Sequence, residues 1–368
     1  MFLILSVAGL LTFGMVMLYS AVLYGGNQSF LLKQLCWSGI GIALCLFFAW
    51  SDYRWLKRWF WVPLLGATVL LAMVLHPDLG TRINGARRWF VFWGVSFQPS
   101  ECAKLALIVF VAWYGDRYWK YMPTFWRGLF IPGLVVGGFL SLIFVEPDRG
   151  TTILLAAVTV VMLMAAGARW RFIIPPIIIG AVALGFSLML DPVRSQRLKA
   201  WVNPEAMKDD AGYQVWLSLL ALGSGGVEGL GLGNGRQKLG FLPLQETDFI
   251  FSLIGEELGL VAAGSVVVVF AVLVLSGVFI AARARDNFGF LLGTGVTFLI
   301  GLQAFINIGV VTNTLPNKGL ALPFISYGGS SLLMMLVCVG VLISIARAGH
   351  AEAATKNVFS GDPEPLPA

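Results

Sequence analysis

The residues best suited to chemistry form two sets, one acidic and one basic, in a chain that is 12% charged and 58% hydrophobic. The acidic set lies in ETDFIFSLIGEELG, residues 246–259, where Glu246, Asp248, Glu256 and Glu257 open a long apolar run. Asp248 stands where a helix should begin. Helix capping accounts for it, since its oxygens can accept first-turn N–H groups. Acid–base work accounts for it too, since a carboxylate at a water interface can take a proton from a hydroxyl. Glu256 and Glu257 lie about two turns further in, too deep to cap. At about 100° per residue, Asp248 and Glu256 project about 80° apart, while Glu257 falls opposite Asp248. They cannot all serve one site, and the two deeper glutamates are expected to organise the helix bundle or support the site from behind. With only two histidines, His76 and His350, a His base, a His metal site or a His relay has little material.

The basic set is Arg82, Arg87 and Arg88 in TRINGARRW, Lys104 just after, Arg194, Arg197 and Lys199 in VRSQRLKAW, Arg236 and Lys238 in GRQK, and Lys318. Taken singly, each reads as a solvated loop charge or a snorkelling side chain. Taken together, guanidinium groups beside Trp and Phe suit an anionic headgroup, because Arg grips phosphate in a fork and stays charged when partly desolvated. Glu101 and Lys104, three apart on one helix face, can pair and either fix helix register or serve the site. Pro316, Gly319, Pro323, Gly328 and Gly329 interrupt the last outer segment, as in a re-entrant turn or a kink. In SYGGSS, backbone N–H groups of Gly328 and Gly329, flanked by Ser326 and Ser330, could be aimed at an anion where a helix starts. For a sugar carried on a lipid diphosphate, cations neutralise the leaving group and one base suffices; ordinary glycoside hydrolysis would need a carboxylate pair.

The elements that must position these groups follow from the apolar runs. A mean hydropathy of +0.83 over 368 residues excludes an ordinary soluble domain and indicates an all-α polytopic membrane protein. Ten runs are long enough to cross a core of about 30 Å: 2–24, 35–50, 59–76, 100–115, 129–145, 151–167, 171–190, 250–282, 289–311 and 328–347. The first lacks the charged start and cleavage site of a removable signal peptide. Short basic loops at 51–58, 116–127, 168–171 and 283–286 fall on one side, which the positive-inside rule makes cytoplasmic, with both termini. The outer side then holds loops 77–99, 191–249 and 312–327, the second of them the large loop between helices 7 and 8. Residues 1–348 form one membrane domain, and the polar tail 349–368 reads as disordered. Cys36, Cys45, Cys102 and Cys338 lack any metal or disulfide spacing and read as packing residues.

The runs INGARRW, FQPSECAKL, EPDRGT, RLKAWVNP, GLGLGNGRQKLGFLP, TDFIFSLIGEELG and LPNKGLALPFISYGGSSLL resemble, in order and over nearly the whole chain, the SEDS (shape, elongation, division, sporulation) family. The resemblance implies a ten-helix glycan polymerase of the bacterial inner membrane that joins lipid II units with inversion at its outer face. It places the catalytic aspartate on Asp248 and the substrate-binding residues on Arg88, Glu101, Lys104, Arg197 and Lys318. It also implies a class B penicillin-binding protein transpeptidase as partner, with other divisome or elongasome membrane proteins. LPNKGLALP is closer to the division branch, FtsW, than to the elongation branch, RodA. Many relatives carry His where this chain has Glu246; with Asp248 it makes a candidate site for a divalent cation, Mg or Mn. A lipid II flippase, with broken helices and membrane ion pairs, is the reading from another class.

Overall fold

The computed structural model describes residues 1–22, 29–83, 86–92, 95–190, 192–237 and 246–360. Thirteen α-helices are described: α1 (Phe2–Val22), α2 (Ser29–Trp50), α3 (Arg54–Arg58), α4 (Trp61–Leu75), α5 (Pro99–Arg117), α6 (Ile131–Val145), α7 (Arg149–Ala165), α8 (Trp170–Met189), α9 (Pro192–Val202), α10 (Tyr213–Gly225), α11 (Ile250–Ala282), α12 (Asn287–Val311) and α13 (Gly329–Ser360). Each of the ten expected spans coincides with one of them or its greater part. Among the described residues, seven helical stretches are long and apolar enough to cross a membrane: Phe2–Val22, Ser29–Trp50, Trp126–Val145, Trp170–Ser187, Ile250–Ala282, Asn287–Val311 and Gly329–His350. Trp61–Leu75 and Arg149–Ala165 are apolar but shorter. The remaining one, α5, carries Glu101, Lys104, Asp116 and Arg117 within its bounds.

Local chemistry sets the helix starts. Pro99 opens α5, where a missing N–H costs nothing. Asp148 caps α7 by accepting from the Thr151 amide, and Asp286 caps α12 by accepting from that of Gly289 at 2.7 Å. Around the core, α2 packs on α13, α11 on α1, α10 and α12, and α5 on α4, α7 and α12. Small residues permit the close approaches; a Cβ on Gly340 would sit 2.4 Å from the Cys45 carbonyl oxygen. The unpacked face of α8, with Ile178, Ile179, Val182 and Phe186 all exposed, has the composition of a lipid-facing surface.

Four features were not in the plan drawn from the sequence, and one of them, a sheet, departs from all-α. The segment 77–99 contains a three-stranded antiparallel sheet of β1 (Thr81–Ile83), β2 (Ala86–Phe92) and β3 (Val95–Phe97). Alternation and aromatic content favour strands there, and Asn84-Gly85 in the sequence is a hairpin signal. The large loop contains two helices, α9 and α10. The long helix α11 is broken at Gly259, which has φ 73° and ψ −173°. Only glycine reaches that backbone region at low cost, and a Cβ there would lie 2.3 Å from the Val227 carbonyl oxygen. Lastly, α13 continues to Ser360, past the tail boundary drawn at residue 349.

Candidate active site

Asp248 lies in the turn just before α11, half-buried. Its carboxylate approaches the interrupted segment 312–328: a Cβ on Gly319 would come within 2.7 Å of its Oδ2, so a larger residue there would push the carboxylate aside. Its backbone carbonyl is held by α12, where Asn307 Nδ2 donates both to Asp248 O at 2.8 Å and to Leu320 O at 2.6 Å. One turn earlier, Gln303 Nε2 donates to Ala321 O at 2.9 Å. The oxygen of that same amide accepts from Lys104 Nζ at 2.9 Å, and Lys104 also donates to Glu101 Oε1 at 2.8 Å. A buried polar chain thus runs from α5 through α12 to the segment that carries Lys318. Glu101 and Lys104 are 6% and 1% exposed, which makes the pair internal to the bundle rather than open to a ligand.

Among the acidic residues picked out from the sequence, the electrostatics single out Asp248. Burial, then the nearby Asp148 carboxylate, pushes its carboxyl up to about 6. Lys318, half-buried, is lowered by its own burial, with Arg149, Arg197 and Arg88 adding to the effect and Asp148 opposing it. These charges therefore share one neighbourhood, in which cations outnumber the carboxylates. Asp148 was not among the residues singled out from the sequence. Its carboxylate is fully engaged: Thr151 N donates to Oδ1 at 3.1 Å, and Thr151 Oγ1 and Gln98 Nε2 donate to Oδ2 at 2.9 and 3.2 Å. The spacing D-x-x-T was the available signal, a cap read in reverse. Gln303 and Asn307 were missed as well, although polar residues four apart on an apolar helix share a face.

Arg88 behaves as an anchor. Its Nε donates to Glu146 O at 2.9 Å and its Nη2 to Pro147 O at 2.5 Å, tying the hairpin to the turn between α6 and α7. Arg197 is exposed on α9, and the side chain of Arg194 and all of Lys238 lie outside the described residues. In the SYGGSS segment, Ser326 Oγ accepts from Leu322 N at 2.8 Å and so closes its own turn. The Gly328 amide donates to Gln34 Oε1 at 3.3 Å, Gly329 packs against Trp37, and Ser330 Oγ accepts from Gln98 N at 3.4 Å. These four residues seat α13 against α2 and α5; the amide of Gly328 is already committed. The backbone oxygen of Glu246 accepts from Tyr327 N at 2.8 Å, so this residue braces the same segment.

Glu256 and Glu257 are completely buried and bind backbone amides of the glycine-rich loop after α10. Glu256 Oε1 accepts from Arg236 N at 2.8 Å and from Gln237 N at 3.3 Å. Glu257 accepts from Ser20 Oγ at 2.6 Å and from Gly233 N at 3.0 Å on Oε2, and from Gly235 N at 3.3 Å on Oε1. The loop wraps across both faces, so two side chains that point apart grip one segment. The bracing role expected of them is what the geometry shows.

Comparison with known proteins agrees with this architecture. The family model of FtsW, RodA and SpoVE, described as cell cycle proteins, matches residues 1–351. A protein of Geobacter metallireducens named probable peptidoglycan glycosyltransferase FtsW is 40% identical over 350 residues, which cover 93% of each chain. Stage V sporulation protein E of Bacillus subtilis is 38% identical over 346 residues, 92% of this chain and 94% of that one. Among solved structures, a chain from a peptidoglycan synthase complex that coordinates polymerization and crosslinking superposes with a TM-score of 0.80 at 26% identity, covering 95% of this chain and 97% of that one. The rod shape determining protein RodA of Thermus thermophilus gives 0.70 at 27% identity, covering 94% and 95%. The chain belongs to the FtsW/RodA/SpoVE family of cell cycle proteins.

Proposed function

We propose that this chain is a peptidoglycan glycosyltransferase of the division type, polymerising lipid II at the outer face of the bacterial inner membrane. The observation that carries the reading is Asp248: a carboxyl raised to about 6, set against Gly319, and sharing the neighbour Asp148 with Lys318, which itself lies near Arg149 and Arg197. At neutral pH such a group is ionised yet basic enough to accept a proton. The 4-hydroxyl of an acceptor GlcNAc attacks the anomeric carbon of a donor MurNAc. Its proton passes to Asp248, the bond from that carbon to the diphosphate breaks, and undecaprenyl diphosphate leaves with the electron pair, inverting the centre. Lys318 and the arginines offset the charge that grows on the leaving group, so no acid is needed.

Ten helices are proposed to cross the membrane, with both termini cytoplasmic and Asp248 outside. The structural likeness to a chain of a synthase complex supports a partner that crosslinks, proposed to be a class B penicillin-binding protein. Among the described residues no three His, Cys, Asp or Glu side chains gather into a metal site. A divalent cation is therefore proposed only as counter-ion to the diphosphate beside Asp248 and Glu246, where it would supply further charge neutralisation. The test is purified protein with lipid II and no other polymerase: glycan strands form with the unaltered chain and are lost with Asp248→Asn. Unchanged polymerisation by that variant sinks the base assignment, and lipid II crossing vesicles without strand growth turns the reading to a transporter.

A further inference from the structure

The hairpin of β1 and β2 uses its three arginines in two ways. The strand register slips between Thr81 and Arg82: Thr81 pairs with Trp89 but Arg82 with Arg87, so Arg88 is the extra residue of a bulge. A bulge re-aims a side chain, and here the re-aimed one is Arg88, which grips the carbonyls of Glu146 and Pro147. Arg82 and Arg87 are left as direct cross-strand partners. Like charges placed opposite each other destabilise a strand pair, so the Arg82–Arg87 pairing does not itself favour the sheet.

Both of these arginines line a groove of about 330 Å³ whose other walls are Leu75, Ala86, Val145 and Pro147. Leu75 and Val145 are the last residues of α4 and α6, and Val145 is 62% exposed. The groove is thus cationic on its hairpin side and apolar where the two helices end. That pairing of surfaces suits an amphiphile whose phosphate meets a guanidinium fork while its glycerol or prenyl portion lies against Leu75 and Val145. Arg87 makes no hydrogen bond or ion pair with any described residue. We propose that this groove binds the phosphate headgroup of a membrane lipid, at a site separate from Asp248, and that the Arg82–Arg87 pair is retained for that purpose.

The proposal does not depend on glycosyl transfer, and its test reads binding alone. The full chain, purified in detergent, is offered phosphatidylglycerol, phosphatidylcholine or undecaprenyl diphosphate, and retained lipid is counted by native mass spectrometry. Arg82→Gln/Arg87→Gln should hold phosphatidylglycerol about tenfold less well, while Arg82→Lys/Arg87→Lys, which keeps the charge, should lose much less. If the double Gln variant does not fold, Arg87→Gln alone serves, since that side chain holds no other described residue. Competition identifies the source: displacement of phosphatidylglycerol by undecaprenyl diphosphate makes the groove a substrate site, and its persistence makes it a site for bulk anionic lipid. Equal retention by the original and Gln chains, or no preference over phosphatidylcholine, overturns the proposal. Asp248→Asn should bind as the original does, whatever it does to polymerisation.

Discussion

Asp248 and the pair Glu256–Glu257 sit within ten residues of one another, yet they live in opposite electrostatic worlds. The pair is fully buried, and its oxygens are met by backbone amides of the glycine-rich loop and by the Ser20 hydroxyl. Donors aimed at a carboxylate stabilise its charged form and leave it nothing to react with. Asp248 instead has its proton affinity raised, first by its own burial and then by the nearby Asp148 carboxylate. Burial raises the proton affinity of Asp248 and not that of a carboxylate met by donors, because among the described residues no hydrogen bond reaches the Asp248 carboxylate oxygens.

Four changes break or sharpen that contrast. The largest effect is expected from Asp248→Asn, which should slow polymerisation by about 10²–10⁴ while thermal unfolding stays near that of the original chain. In the unaltered protein, the rate should rise with pH through about 6 as Asp248 ionises, then level off; a flat profile from pH 5 to 7 would contradict the base. Next comes Lys104→Met, which strands Glu101 in the bundle and should cost about 3–5 kcal/mol of stability. Adding Glu101→Gln should restore part of it, measured as thermal midpoint in detergent.

Glu257→Gln should cost about 1–3 kcal/mol, because a charged acceptor of three donors is replaced by a neutral amide. Its signature is early proteolysis of the loop around residue 233, before any loss of the other helices. The smallest effect concerns Glu146, completely buried, whose two carboxyl oxygens have no partner among the described residues. Burial, then Asp148, pushes it up to about 8, with Arg88 opposing. Between an unfolded value near 4.5 and that raised value, the unfolded chain has lost a proton the folded chain keeps, so stability falls as pH rises through this window. Glu146→Gln should flatten that slope: little change at pH 5, and a higher thermal midpoint than the original at pH 8.

The long elements were legible because span length and apolar composition are one-dimensional properties, and the ten runs find their helices. Asp248 was legible for a different reason, its position at the start of such a run. What the sequence hid depends on contacts between distant segments. Nothing local says that Arg88 would turn onto the carbonyls of residues 146 and 147, that Gln34 would take the Gly328 amide, or that residues 233–237 would fold over Glu256 and Glu257. The sheet in 77–99 was legible in principle, through Asn84-Gly85 and its alternating flanks, but apolar bulk there also suits a membrane-facing loop.

One amide nitrogen, that of Asn307, holds the carbonyls of Asp248 and Leu320 together. Asp248 and the strip of chain bearing Lys318 thus hang from a common peg on α12. A tilt or slide of that helix carries both along as one unit, and their separation is preserved. A neighbouring protein that shifts the bundle would move the backbone of Asp248 and of Leu320 together, and parting them would first require pulling out the peg.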